Sequence, residues 1–103
     1  YLFLSITGEN NREEKKRFEA GDPIATFNVG IDYRDGTNGY PQDYTKALEL
    51  FHRASELGHF ESYCNIGCAY DYGEGVEIDK KKATYYYELA AMGGDVSARY
   101  NLG

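Results

Sequence analysis

Residues 65–94 read NIGCAYDYGEGVEIDKKKATYYYELAAMGG, and most of this pattern has already occurred once upstream. Gly30, Tyr33 and Gly36 stand 37 positions before Gly67, Tyr70 and Gly73. One extra residue falls near Thr37, and the offset then becomes 36. Gly39, Asp43, Lys46, Ala47 and Ala54 precede Gly75, Asp79, Lys82, Ala83 and Ala90 at that spacing. Asn28, Asn65 and Asn101 share one column, and Gly30, Gly67 and Gly103 another. Self-similarity at a period of about 36 residues marks a repeat array, in which each unit covers its apolar face with the next.

Each copy predicts a helical hairpin. Helix A follows Gly21-Asp22-Pro23, then Gly58, then Gly94-Asp95. Ala25, Val29, Gly30 and Tyr33 recur as Ser62, Ile66, Gly67 and Tyr70, a spacing of three and four that makes one helical face. The segments Asp35-Gly36-Thr37-Asn38-Gly39 and Tyr72-Gly73-Glu74-Gly75 end the helix in a glycine turn. Helix B begins at Asp43 and Asp79, residues suited to cap a helix N-terminus. Its apolar row is Ala47, Leu50, Phe51, Ala54 and Leu57 in the first copy and Ala83, Tyr86, Tyr87 and Ala90 in the second. A glycine inside a helix costs about 1 kcal/mol relative to alanine. Its recurrence at Gly30 and Gly67 points to a compensating gain, namely close approach of helix B with Phe51 or Tyr87 in the gap. The expected fold class is all-α, an α/α solenoid of about two and a half helix-turn-helix repeats. Its expected divisions are a cap or the end of a preceding helix at 1–20, repeats at 21–57 and 58–93, and helix A of an incomplete third repeat at 94–103.

The rest of the composition narrows the function. The chain has 103 residues, enough for one domain, and a formal charge of −6 from 11 basic and 17 acidic side chains. Such a surface repels phosphate backbones and anionic membranes, so neither nucleic acid nor a bilayer is expected as a partner. The apolar start at residues 1–6 is too short to span a membrane and lacks the basic flank of a signal peptide. No Gly-rich phosphate loop, metal motif or Ser-His-Asp order emerges, so no catalytic residue, cofactor or metal is assigned. Cys64 and Cys68 stand four apart on one helix, which does not suit a disulfide; free thiols in a reducing, cytoplasmic setting are expected.

The string Asn-hydrophobic-Gly-x-x-Tyr-x-x-Gly-x-Gly-Val-x-x-Asp-x-x-Lys-Ala, ending in Ala-Ala-x-x-Gly, resembles the Sel-one-like repeat (SLR) family. Residues 65–94 fit it almost throughout; the first copy departs by its insertion near Thr37 and by Tyr40 where Val76 stands. The resemblance implies a fold similar to tetratricopeptide repeats, a right-handed superhelix, and an adaptor role in protein complexes. It also implies that helix A lines a concave face. By the Gly30 and Tyr33 columns, that face would hold Phe27, Asn28, Ile31 and Arg34, then Cys64, Asn65, Cys68 and Asp71, then Tyr100 and Asn101.

Two readings of the Asn column stand side by side. In related repeats such an amide bonds a bound peptide, since it both donates and accepts; alternatively it bonds within the array. The apolar members of the face likewise suit either a hydrophobic partner segment or packing against neighbouring repeats. The function expected is a scaffold binding a protein or peptide. The alternative is an architectural spacer, or a segment that self-associates through exposed repeat ends such as Ala98 and Leu102.

Overall fold

The computed structural model describes residues 12–93. Expectations for residues 1–11 and 94–103, Tyr100 and Asn101 included, lie outside the described residues. Among the described residues five helices follow one another: α1 at residues 12–19, α2 Pro23–Asp35, α3 Tyr44–Glu56, α4 Ser62–Tyr72 and α5 Lys80–Ala91. No strand occurs among the described residues. Each helix packs on its successor from α2 onward, and the array measures 53 × 28 × 20 Å. Its radius of gyration is 15.2 Å. A compact domain of this length would have about 13 Å. The chain is therefore an all-α solenoid, extended along its repeat axis.

The capping aspartates act where the sequence puts them. Asp43 Oδ1 accepts from Lys46 N at 3.0 Å and Asp79 Oδ1 from Lys82 N at 3.1 Å. Asp22 does the same for α2, accepting from Ile24 N and Ala25 N. In the second copy that column holds His59, whose ring instead meets Ser62 Oγ at 2.9 Å. With no side chain accepting from the first turn, residues 59–64 wind through three i→i+3 bonds, and α4 starts only at Ser62.

The glycines inside helix A admit the ring of helix B. A Cβ on Gly30 would stand 2.8 Å from Phe51 Cε1, and one on Gly67 would stand 2.7 Å from Tyr87 Cδ1. The core continues across the repeat boundary, because Ala47, Leu48 and Phe51 of α3 cluster with Ile66 and Ala69 of α4. The recurrent lysine has a role as well: Lys46 Nζ lies 6.0 Å from the centre of the Tyr33 ring, and Lys82 Nζ lies 5.3 Å from that of Tyr70. Leu57 departs from the expected row. The helix ends at Glu56, Leu57 becomes its C-cap and 45 % of it is exposed, since the chain turns away there toward Gly58.

Copy two also touches copy one through main chain. Gly75 has φ +82°, and a Cβ there would meet the Tyr44 carbonyl carbon and oxygen at 2.8 Å. Only a residue without a side chain can carry the α4–α5 loop against the start of α3 in this way.

Candidate functional site

Helices α2 and α4 carry the expected row, and the structure shows what each member touches. Phe27 is half-buried, with its ring 4.5 Å from His59 and 5.7 Å from Phe51. Ile31 packs on the α3–α4 core. Asn28 donates to Glu14 Oε2 of α1 at 3.4 Å. Arg34 forks, with Nε and Nη2 on the Asp35 carboxylate and Nη1 on Asn65 Oδ1 at 2.9 Å. The Asn column thus joins each helix A to the unit before it, Asn28 to α1 and Asn65 to α2.

At the far end of the row, Asp71 accepts from Lys80 Nζ, and the Tyr87 hydroxyl lies 3.2 Å from its other oxygen. Lys80 first, and Tyr87 after it, hold the Asp71 carboxyl below the usual range. The Tyr87 hydroxyl also stands 3.5 Å from Cys68 Sγ; that bond and burial together push the phenol well above its ordinary value. Cys64 is exposed, Cys68 is half-buried, and both thiols are free. Burial pushes the Cys64 thiol up, with a further rise from neighbouring Cys68, so it is a poor nucleophile.

The electrostatic result is a mixed surface. Arg34 supplies positive charge at the centre, Asp35 is neutralised beside it, and Asp71 is already paired. Among the described residues neither thiol bonds an imidazole, and no three His, Cys, Asp or Glu side chains gather as a metal would require. His59 and Ser62 do pair, but Ser62 is fully buried and cannot meet a substrate. The arrangement can offer hydrogen bonds and packing to a partner; among the described residues no solvent-accessible nucleophile–base pair forms.

Two residues beside the row were passed over at the level of sequence. Asp32 is 5 % exposed, and Glu14 meets Asn28 across the α1–α2 contact. Asp32 reads as one more acid near a loop until it is set against its partner in the second copy, Ala69.

Comparison with known proteins agrees with this architecture. The model of the Sel1 repeat matches twice, at residues 23–59 and 60–95. The ERAD-associated E3 ubiquitin-protein ligase component HRD3B of Arabidopsis thaliana is 37% identical over 88 residues, which is 82% of this chain and 13% of that protein. Chitin synthase regulatory factor 3 of Schizosaccharomyces pombe is 31% identical over 78% of this chain and 9% of its own length. A Sel1 repeat protein from Oxalobacter formigenes superposes with a TM-score of 0.76 at 36% identity, over 87% of this chain and 36% of that one. The protein c5321 of uropathogenic Escherichia coli, described as a protective antigen with an SLR fold, gives 0.72 at 32% identity, over 80% of this chain and 17% of that one. The chain therefore spans a small part of each of these relatives. With two matched units, glycine-spaced hairpins and an Asn column that ties each unit to the last, the chain belongs to the Sel1 repeat family.

Proposed function

We propose that these hairpins form an adaptor segment that holds a stretch of a protein partner along the helix A face. The observation that carries the reading is the Arg34–Asn65 bridge. It lies at the middle of the row and is half-exposed, and the Asn65 amide nitrogen makes no hydrogen bond among the described residues. A donor beside a guanidinium suits the backbone carbonyls of an extended segment. Support also comes from the relatives' names, one a component of a ligase and one a regulatory factor of a synthase, each defined by an enzyme it accompanies. The unbridged thiols suit a reducing compartment such as the cytoplasm.

The test is capture of partners from native extract by the wild-type chain and by Arg34→Ala/Asn65→Ala, read by mass spectrometry. Both substitutions sit on a half-exposed surface, so the helical signal and melting of the double variant should stay near wild type. A partner lost only from the variant is the expected result. Identical partners in both samples would leave the spacer reading standing. That second reading has its own observation: Asn28 and Asn65 both already bond within the array.

A further inference from the structure

The first repeat contains an acidic cleft, whereas at the equivalent place the second has only a cavity of about 10 Å³ that includes Phe51, Ala69 and Glu74 in its wall. Asp32 Oδ1 accepts from Thr37 Oγ1 at 2.8 Å and from Asn38 Nδ2 at 2.9 Å. Thr37 and Asn38 belong to the loop that is one residue longer than its equivalent in repeat two, where Ala69 replaces Asp32. The longer loop and the buried acid thus occur together, and the loop's side chains hold one oxygen of that acid. The other oxygen, Oδ2, is buried with no hydrogen-bond partner. Asp32 forms part of the wall of a cavity of about 180 Å³, together with Glu14, Lys15, Asn38, Gly39 and Tyr40.

Two carboxylates, Asp32 and Glu14, face one cation on the wall, Lys15, and Arg17 is near enough to pull Glu14 down. Burial, and after it the Asp32 charge, push the Glu14 carboxyl above its usual range, although the Asn28 amide pulls the other way. Tyr40 is raised by burial and then by Tyr33, Asp32, Glu14 and Glu19. Lys15 sits on the wall but pairs with neither carboxylate. A buried acceptor without a donor is costly, and its cost is recovered when a donor arrives.

We propose that the cleft between α1 and the α2–α3 loop takes one cationic side chain of a protein partner, an arginine guanidinium. Its planar fork has five N–H donors, enough to meet Asp32 Oδ2 and the Glu14 carboxylate at once. A calcium ion is served less well. It wants six to eight oxygens, and among the described residues no three acidic, His or Cys side chains converge. The site's anchors are Asp32 and Glu14 rather than Arg34 and Asn65, and it meets the helix A row at the Asn28–Glu14 bond.

The experiment is an NMR titration of the uniformly 15N-labelled chain with N-acetyl-arginine amide, alongside a separate titration with calcium chloride. Saturable shifts are expected at the backbone amides of Asn38, Gly39 and Tyr40 with the arginine probe. In Asp32→Asn, which keeps shape and removes charge, the apparent Kd should weaken by at least about tenfold. Glu14→Gln, a change on the half-exposed α1, should weaken it in the same direction and decides the matter if Asp32→Asn loses its dispersed spectrum. No saturable shift in wild type would overturn the proposal and leave water in the cleft. Equal affinity in the variants would overturn it too. So would tighter saturable binding of calcium at these same amides, which would make the cleft a metal site. Unchanged partner capture by Arg34→Ala/Asn65→Ala would sink the helix-face reading and leave this result standing.

Discussion

Gly30 sets two effects of opposite sign against each other. Alanine there would gain about 1 kcal/mol in helix propensity. The added methyl would press on Phe51, which is 2 % exposed and has nowhere to move. Overpacking of that kind costs about 1–3 kcal/mol and prevails. Gly30→Ala should therefore lower the urea midpoint, and Gly30→Ala/Phe51→Leu should recover part of the loss. His52 gives a second test at this scale. Burial holds its imidazole below the ordinary 6.5, against a smaller opposite pull from Glu56. As pH falls, the unfolded chain takes up this proton first, so the contribution of neutral His52 is intact above the ordinary value and lost as pH drops through the folded one. Wild type should lose more stability than His52→Gln between about pH 7 and about pH 5, and parallel slopes would remove His52 as the source. The sequence made the glycine argument readable because Gly30 and Gly67 repeat, and so do the rings opposite them. It did not make Asp32 readable in the same pass, because that residue breaks the repeat, and a column comparison rewards matches. The informative signal was a mismatch, an acid facing Ala69 next to an inserted residue.

At the scale of the helix, the caps carry the clearest expectation. Asp43→Ala and Asp79→Ala each remove one acceptor from a helix start and should cost about 1 kcal/mol, whereas Asn at either position should restore most of it. In a chain of this size that corresponds to a fall of about 4–8 °C in Tm, readable by circular dichroism. The same chemistry sets where α4 begins. Helix A was expected after Gly58, and it starts at Ser62, where Asp22 has His59 as its counterpart and the imidazole turns to Ser62. His59→Asp should restore an acceptor in the column, and the 15N-labelled chain should then show stronger amide protection at residues 61–64. No gain in protection would mean that the late start has another cause.

Across the whole molecule, stability passes from unit to unit through the α3–α4 contact. Ile66 is fully buried and shares a cluster with Leu48 and Phe51 of the preceding repeat. Ile66→Ala should cost about 2–5 kcal/mol. Its effect on hydrogen exchange should reach α3 as well as α4 and α5. Leu89 is buried on α5 but stands outside that cluster, so Leu89→Ala should loosen α5 while leaving α3 protected. Equal spread from both variants would mean that the array melts as one block. The order of hairpins, the caps and the ring-to-glycine contacts could all be read from spacing. The face was readable only as a set of columns, because periodicity places Asn28 and Asn65 on one side of a helix without saying that Glu14 and Arg34 meet them there.

The seat of Gly75 on the Tyr44 carbonyl has a consequence for assembly. Part of the joint between successive hairpins is a contact of main chain with main chain, beside the buried α3–α4 core, so its angle is set by backbone and core and not by surface residues. A hairpin that keeps both this glycine and the buried residues beside it can dock at the same pitch, whatever its outer face displays. The array is modular in the engineering sense: it can be lengthened, shortened or recombined link by link, with curvature inherited from the joint and specificity written separately on each link.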